Sequence, residues 1–400
     1  MLYDVIVAGA GPAGSTAARA LAQRGASVLL LDRARFPRDK PCGGGVTIRA
    51  AACLDLDLSP VIERTIYGAR FYLRRGPSFD RWYRQPWTYM TQRRRLDSFL
   101  AEAACEAGSD FHDGEAVRAV EVDDGQVTVR SRGGAYRART LIAADGANGI
   151  SSRSGDLRPQ FEEAVALEGT LPFSPEIPAQ WRERIALDLG GWTNGYGWVF
   201  PKGDHLNLGV GIWKYDALTL RPKLADLCRR YGFDAAKLEN LRGHHLPMRI
   251  PGTPVARGPL LAVGDAAGLI DPLTGEGIHM AFLSARLAAD AIIAYLAGEA
   301  TDLSSYQRAV ERRLQPELTA SRKLQELFHY APPLYMALLR HSRSFWHAFC
   351  HLTRGEITYQ GLLRKVGPLR PLLVYSAGLA QRRRLSKLAP GRGPVWARPR

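Results

Sequence analysis

The chain is short of several things. Its 400 residues include five cysteines, an odd number, with no Cys-x-x-Cys spacing. That speaks against a disulfide framework and a structural zinc site, and for a reducing compartment. Lysine is scarce, with 8 against 46 arginines, and none falls between residues 41 and 201. No uncharged apolar run approaches the roughly 20 residues that cross a bilayer. The first strand pattern opens at residue 3, which leaves no room for a signal peptide. The chain is therefore expected to be cytoplasmic and not integral to a membrane. Acid is missing from the last 44 residues. After Glu356 come Arg364, Lys365, Arg370, Arg382, Arg383, Arg384, Lys387, Arg392, Arg398 and Arg400, and the whole chain carries a formal charge of +15.

What the chain does have is glycine in three separated clusters. Gly9-Ala10-Gly11-Pro12-Ala13-Gly14 follows the apolar run Val5 to Ala8 and precedes a helix-like stretch, Ser15 to Gln23. A second apolar run, Val28 to Leu31, ends in Asp32 and Arg33. This is a β-α-β pattern: Gly9, Gly11 and Gly14 let the backbone approach a pyrophosphate, which rests on the helix start at Pro12 and Ala13. Asp32 then accepts hydrogen bonds from an adenosine ribose. Ala144-Asp145-Gly146 lies mid-chain after another apolar run. Gly264-Asp265-Ala266-Ala267-Gly268 follows a buried-strand pattern and leads through Asp271-Pro272-Leu273-Thr274-Gly275-Glu276-Gly277 into a helix from about Ile278.

In this order the clusters resemble the flavoprotein hydroxylase superfamily. The resemblance implies that Asp265 holds the ribityl chain of FAD, and that the Pro272-x-x-Gly275-x-Gly277 loop gives backbone N–H groups to the flavin. Amides from Ile278 onward suit the negative charge of a reduced flavin near N1. Asp145 matches a mid-chain motif of the same superfamily. Arg93, in Arg93-x-x-Leu96-Asp97-x-x-Leu100, matches its flavin-contacting arginine.

Two further motifs narrow the resemblance. Tyr196-Gly197-Trp198-Val199-Phe200-Pro201-Lys202, followed by Gly209-Val210-Gly211, is similar to a signature of the geranylgeranyl reductase family. Pro41-Cys42-Gly43-Gly44-Gly45 resembles the cysteine–glycine loop that those enzymes place beside the flavin. Members saturate double bonds in prenyl chains of lipids, quinones and chlorophyll precursors. The resemblance implies FAD as cofactor and a prenylated lipid as substrate. Read from the residues, the alternation of Tyr196, Trp198 and Phe200 puts three rings on one face of a strand, suited to an apolar tunnel. Cys42 and Tyr196 are the candidates for proton relay. Cys53, Cys105, Cys228 and Cys350 read as small buried hydrophobes.

A flavin-dependent monooxygenase acting on an apolar or aromatic substrate is the alternative on the same cofactor lobe. A halogenase needs a lysine between the FAD lobe and the aromatic stretch, where this chain has none. A prenyl carrier without flavin is disfavoured by the intact cofactor loops. No second nucleotide fingerprint follows a strand, so NAD(P)H must dock transiently, or an electron-donor protein such as ferredoxin must reduce the flavin. The basic C-terminus, beside the apolar stretch from Tyr330 to Cys350, suits an anionic membrane at the inner face of the cytoplasmic membrane. Nucleic acid is not expected, since no recognition motif accompanies the charge.

The expected fold is α/β. A Rossmann-like FAD-binding lobe takes residues 1–65, 93–160 and 256–300. An antiparallel-sheet substrate lobe is inserted from 66–92 and 161–255, with a short helix at Ala235 to Leu241. A helical C-terminal region spans 301–385, and a loose basic tail spans 386–400.

Overall fold

The computed structural model describes residues 1–386 apart from 73–77, 124, 155–156, 158, 175–178, 183, 190–194, 366 and 368–369. Continuous apolar runs become the central strands of the first lobe, because a parallel strand covered on both faces has no polar side. Leu2–Ala8 lies between Val28–Asp32 and Ala135–Ala143, parallel to both. Leu260–Ala262 pairs beyond Ala135–Ala143, and Asp110–Asp113 beyond Val28–Asp32. Strands that begin at Leu2, Ala135 and Leu260 thus share one sheet. The antiparallel strands Ala119–Asp123 and Gln126–Arg130 extend it.

The helices Pro12–Ala22, Arg93–Glu106 and Ile278–Leu296 pack together in this lobe. Ile278–Leu296 is long and apolar enough to cross a bilayer by length and composition, which single-run counting of uncharged residues missed. Here it is a core helix, with Met280, Phe282, Ala285 and Ile292 buried.

The substrate lobe is a seven-stranded sheet in the order Glu239–Arg249, Phe161–Pro172, His205–Trp213, Gly195–Pro201, Ile185–Asp188, Gly68–Tyr72, Phe79–Trp82. Its period-2 alternation divides the faces. Leu167, Leu171, Val199, Leu206, Leu208 and Val210 form a core under the helix Leu220–Arg230. Tyr196, Trp198 and Phe200 take the other face. The short helix expected at Ala235 to Leu241 is corrected: only Ala235–Lys237 makes a turn, and Leu241 sits in the strand Glu239–Arg249. Pairing along most of Phe161–Pro172 outweighs the local helical preference of these residues. Thr88–Met90 departs from the sheet as well. It joins Gly45–Thr47 and Arg64–Ile66 in a three-stranded sheet that ties the cysteine loop to the substrate lobe.

The C-terminal region is helical as expected, with a break before Pro332, which starts the helix Pro332–His341. Its aromatic stretch is not the exposed surface that the sequence suggested. Leu339, Trp346 and Cys350 are buried against Phe71, Trp87 and Ile185 of the substrate lobe. Tyr330 and Leu334 alone of the large apolar residues there stay more than half exposed.

One base of the C-terminal run is also internal. Arg384, on the helix Arg370–Ser386, reaches Glu326 and Glu162 at 2.8 Å each and lies 4.4 Å over the ring of Trp213. Burial opposes its charge, but the two carboxylates outweigh burial and hold it protonated. Most of the expected loose tail, 387–400, lies outside the described residues.

Candidate active site

The first glycine cluster folds as a cradle. Gly9 has φ +108°, and a Cβ there would stand 2.4 Å from the Ala144 carbonyl oxygen. A Cβ on Gly14 would stand 1.7 Å from the Gly9 carbonyl, so the helix can start only this close to the strand without a side chain. No side chain caps the helix Pro12–Ala22, which leaves its first amides turned to the cleft. Asp32 accepts from the Ala10 N–H at 2.8 Å and the Ala34 N–H at 2.9 Å. Gly11, Pro12, Ala13, Asp32 and Arg33 all line the cleft. An uncapped helix start, a glycine cradle and an acid at the second strand's end fit a dinucleotide diphosphate and ribose.

The other cofactor candidates converge on the same cleft. Asp265 pairs with Lys40 Nζ at 3.2 Å and stands 3.5 Å from His244 Nε2. Burial alone pushes its carboxyl up, but Lys40 and His244 win and hold it far below the usual carboxylate range. His244 is itself pulled down by burial, against the attraction of Asp265. Gly277 approaches Asp265 so closely that a Cβ would lie 3.1 Å from Oδ1. The Pro272–Gly277 loop is fixed from behind: Asp271 accepts from Arg49, Ser321 and Tyr359. Gly277 then begins the helix at Ile278 without a side-chain cap. Arg93 is buried and bidentate to Asp97, at 2.8 Å on both oxygens, and Asp97 also takes Arg38 at 2.9 Å.

Asp145 behaves differently. Its Oδ2 accepts from the Ile150 and Ser151 N–H groups and the Ser151 hydroxyl, so the carboxylate closes its own loop. Asp145 and the loop it closes, Gly146 to Ile150, line the cleft.

The cysteine loop and the aromatic strand meet, though 150 residues separate them. A Cβ on Gly43 would lie 2.9 Å from the Phe200 ring and 3.4 Å from Trp198 Nε1. The three rings stand in a row, with centroids 5.7 Å apart from Tyr196 to Trp198 and 6.2 Å from Trp198 to Phe200. The Trp198 Nε1–H donates to Asn207 Oδ1 at 2.7 Å, and its ring covers Gly209, where a Cβ would stand 2.0 Å away. The Tyr196 hydroxyl donates to the Thr274 carbonyl at 2.9 Å, in the cofactor loop. Burial, with Asp271 and Cys42 nearby, pushes its pKa well up. Its hydroxyl hydrogen is thus directed at that loop.

Cys42 is held by groups that sequence reasoning missed. Its backbone N–H donates to Glu168 Oε1 at 2.7 Å, and its Sγ accepts from the Gly44 N–H at 3.3 Å. Lys202, 2 % exposed, donates to the Gly43 carbonyl from the other side. Burial lowers the Lys202 pKa to about 8 against the pull of Cys42 and Glu168. Burial raises the Glu168 carboxyl, opposed by the Cys42 N–H and Lys202. Glu168 was readable as the one charge in the apolar run Ala164 to Pro172. Lys202 closes the aromatic motif, yet its position one residue past the lysine-free interval hid its place at this loop.

All of this opens on one cavity of about 810 Å³. From the cofactor cleft it runs past Cys42, Tyr196 and Trp198 between Ile185 and Leu187 and the C-terminal helices. Phe328, Tyr335, Leu339, Phe345 and Phe349 supply its far walls. Tyr335, Leu339, Phe345 and Phe349 belong to the stretch that the sequence assigned to a membrane surface, and no local pattern placed them at this cavity.

Residues 2–184 match the FAD binding domain family. Over 353 residues the chain is 30 % identical to digeranylgeranylglycerophospholipid reductase 1 of Methanopyrus kandleri, covering 82 % of this chain and 91 % of that protein. It is 34 % identical to the menaquinone reductase of Mycolicibacterium smegmatis, over 80 % of this chain and 86 % of that one. The fold matches a solved geranylgeranyl bacteriochlorophyll reductase-like protein of Thermoplasma acidophilum with a TM-score of 0.77, at 24 % identity, covering 95 % and 99 % of the two chains.

Proposed function

The chain belongs to the geranylgeranyl reductase family of FAD-dependent oxidoreductases, and on that premise we propose that it saturates carbon–carbon double bonds in the prenyl chain of a lipid, quinone or chlorophyll-like substrate. The observation that carries the reading is the contact of Gly43 with Phe200 and Trp198, which brings the cysteine loop, the cofactor loops and an aromatic tunnel to one place.

When bound and reduced, FAD would supply hydride chemistry, and Gly9 to Gly14, Asp32, Arg93 and Asp265 would hold it. The chain's own residues do the rest. Trp198, Phe200, Leu187 and Phe349 exclude water and offer π-faces to positive charge that develops when an isolated alkene takes a proton. Cys42 stands at the junction of cleft and tunnel and donates that proton. Glu168 and Lys202 fix the loop that carries it. The electron source is NAD(P)H docking transiently, or a ferredoxin-like protein. The enzyme works at the inner face of the cytoplasmic membrane, attached by exposed Tyr330, Leu334, Tyr375 and Leu379 and by the unburied bases of its C-terminus.

Mass spectrometry of total lipids with and without the gene tests the reading. Loss of the gene should raise prenyl-chain masses' unsaturated forms, each lighter by two units per double bond left unreduced. Products heavier by one oxygen, with oxygen consumption, would show monooxygenation instead.

A further inference from the structure

Lys202 directly follows the aromatic strand Gly195–Pro201 and is a buried charge without a partner of opposite sign. Its Nζ donates to the Gly43 carbonyl and stands 4.0 Å from Met90 Sδ. Among the described residues no carboxylate forms an ion pair with it. Taking an ammonium out of water without a counterion is costly, so its place here calls for a use. The Cys42 thiol packs on the same glycine as the ammonium. Its Sγ accepts the Gly44 N–H at 3.3 Å, and a Cβ on Gly44 would collide with Nζ. Of the groups whose negative charge would favour the ammonium, a Cys42 thiolate comes first, ahead of Glu168 and Glu63.

We propose that Lys202 reloads the proton donor: its ammonium hands a proton to the thiolate left on Cys42 after the alkene has been protonated. The inference rests on the prenyl reading above and deepens it, by adding the step that returns the site to its starting state. Each reduction removes the hydrogen of Sγ–H and leaves a thiolate in a site from which the tunnel excludes water. Transfer breaks one N–H bond of Lys202, forms S–H, and leaves a neutral amine. That amine regains a proton from solvent, which reaches the adjoining exposed residues Gly203 and Asp204. The other groups around Cys42 are unsuited. The Arg93 guanidinium faces the thiol, but an arginine does not lose its proton in a protein, and Asp97 holds this one charged. It steadies the thiolate instead. The Tyr196 hydroxyl is directed at the Thr274 carbonyl, and burial holds its pKa up. Glu168 accepts the backbone N–H of Cys42. Lys202 carries a proton that burial has loosened, with a pKa lowered to about 8, near the range in which general acids work.

The test compares two rates in the full-length, FAD-loaded enzyme, both read as saturated product by mass spectrometry. In the first, reduced enzyme freed of reductant is mixed with the prenyl substrate and quenched, which reads one hydrogenation from the proton already on Cys42. In the second, dithionite re-reduces the flavin at a concentration above which the rate no longer rises, and turnover is continuous. Lys202→Met and Lys202→Arg should each lower the ratio of continuous to single-turnover rate by on the order of a hundredfold, the lower range for a positioned acid. Flavin absorbance confirms that the cofactor site is intact. An unchanged ratio overturns the proposal, whether both rates fall together through a displaced loop or neither falls. A ratio kept by Lys202→Arg and lost in Lys202→Met overturns it as well, because charge alone would then suffice. A wild type that saturates none of geranylgeranyl diphosphate, a digeranylgeranyl glycerolipid and menaquinone overturns the prenyl reading itself, and this inference with it.

Discussion

The Lys202 ammonium donates to the carbonyl of Gly43, 159 residues earlier in the chain. From the opposite side the Glu168 carboxylate accepts the N–H of Cys42. Two buried charges of the substrate lobe therefore grip the loop that carries the candidate proton donor. Neither needs to touch a substrate to matter, since a displacement of about 1 Å at a reacting group can lower a rate a hundredfold.

Lys202→Met should retain FAD and slow prenyl reduction at least about tenfold, mostly in kcat. The pH dependence carries the sign of the burial. With a folded pKa of about 8 against 10.5 unfolded, keeping the ammonium charged weakens the fold at low pH. That cost is fully present below 8 and is lifted as pH rises from 8 to 10.5. The wild type should gain stability relative to Lys202→Met across that window, by on the order of 3 kcal/mol at 1.36 kcal/mol per pKa unit. Urea unfolding of both proteins at pH 7 and pH 10 checks it; parallel curves at the two pH values would rule out a buried, titrating lysine.

Asp265→Ala should weaken FAD retention by about ten- to a hundredfold, the range for losing hydrogen bonds of a charged group. The variant also leaves Lys40 and His244 without their acceptor. Titration of the apoprotein with FAD reads the loss. Purified wild-type protein should be yellow, and a colourless, folded preparation that refuses added FAD contradicts the assignment.

Trp198→Ala should impair prenyl reduction and leave flavin content near that of the wild type. The indole is 5 % exposed and packs on Gly209, so the truncation also lowers stability by about 3–5 kcal/mol. Trp198→Phe keeps most of the wall and separates the two effects: KM for the prenyl substrate should rise while Tm falls little. A variant that lost FAD but kept normal turnover on the remainder would place Trp198 in the cofactor lobe.

Membrane attachment through the C-terminus cannot be tested by cutting the chain near Ala380, because that removes Arg384 with the exposed bases. Arg384→Met should lower Tm by a few degrees, since it removes the partner of buried Glu326 while Arg322, 3.1 Å from Glu162, still compensates part of the charge. Arg382→Gln/Arg383→Gln should leave Tm nearly unchanged and weaken binding to anionic vesicles at low salt. Equal vesicle binding by wild type and that double variant shows that these bases are only solvated.

By itself the sequence determined the cofactor lobe, because backbone conformation is a local property. Only glycine fits where Gly9 turns and Gly14 packs, and a continuous apolar run such as Val5 to Ala8 suits only a strand covered on both faces. The period-2 alternation of Tyr196, Trp198 and Phe200 was legible for the same reason, as was an α/β fold with an inserted sheet. What tertiary structure decided was which faces meet. A helix with Phe345, Trp346 and Phe349 reads alike whether it covers a membrane or a tunnel, and only the opposing sheet, with Phe71, Trp87 and Ile185, turned it inward. Arg384 is chemically one more base in a basic run until Glu162 and Glu326 arrive from elements far off in the chain. Lys202 reads in the sequence only as the end of the aromatic motif, and the hairpin between Gly195–Pro201 and His205–Trp213 carries it to Gly43. Such pairings depend on contacts between residues that no short window of sequence contains.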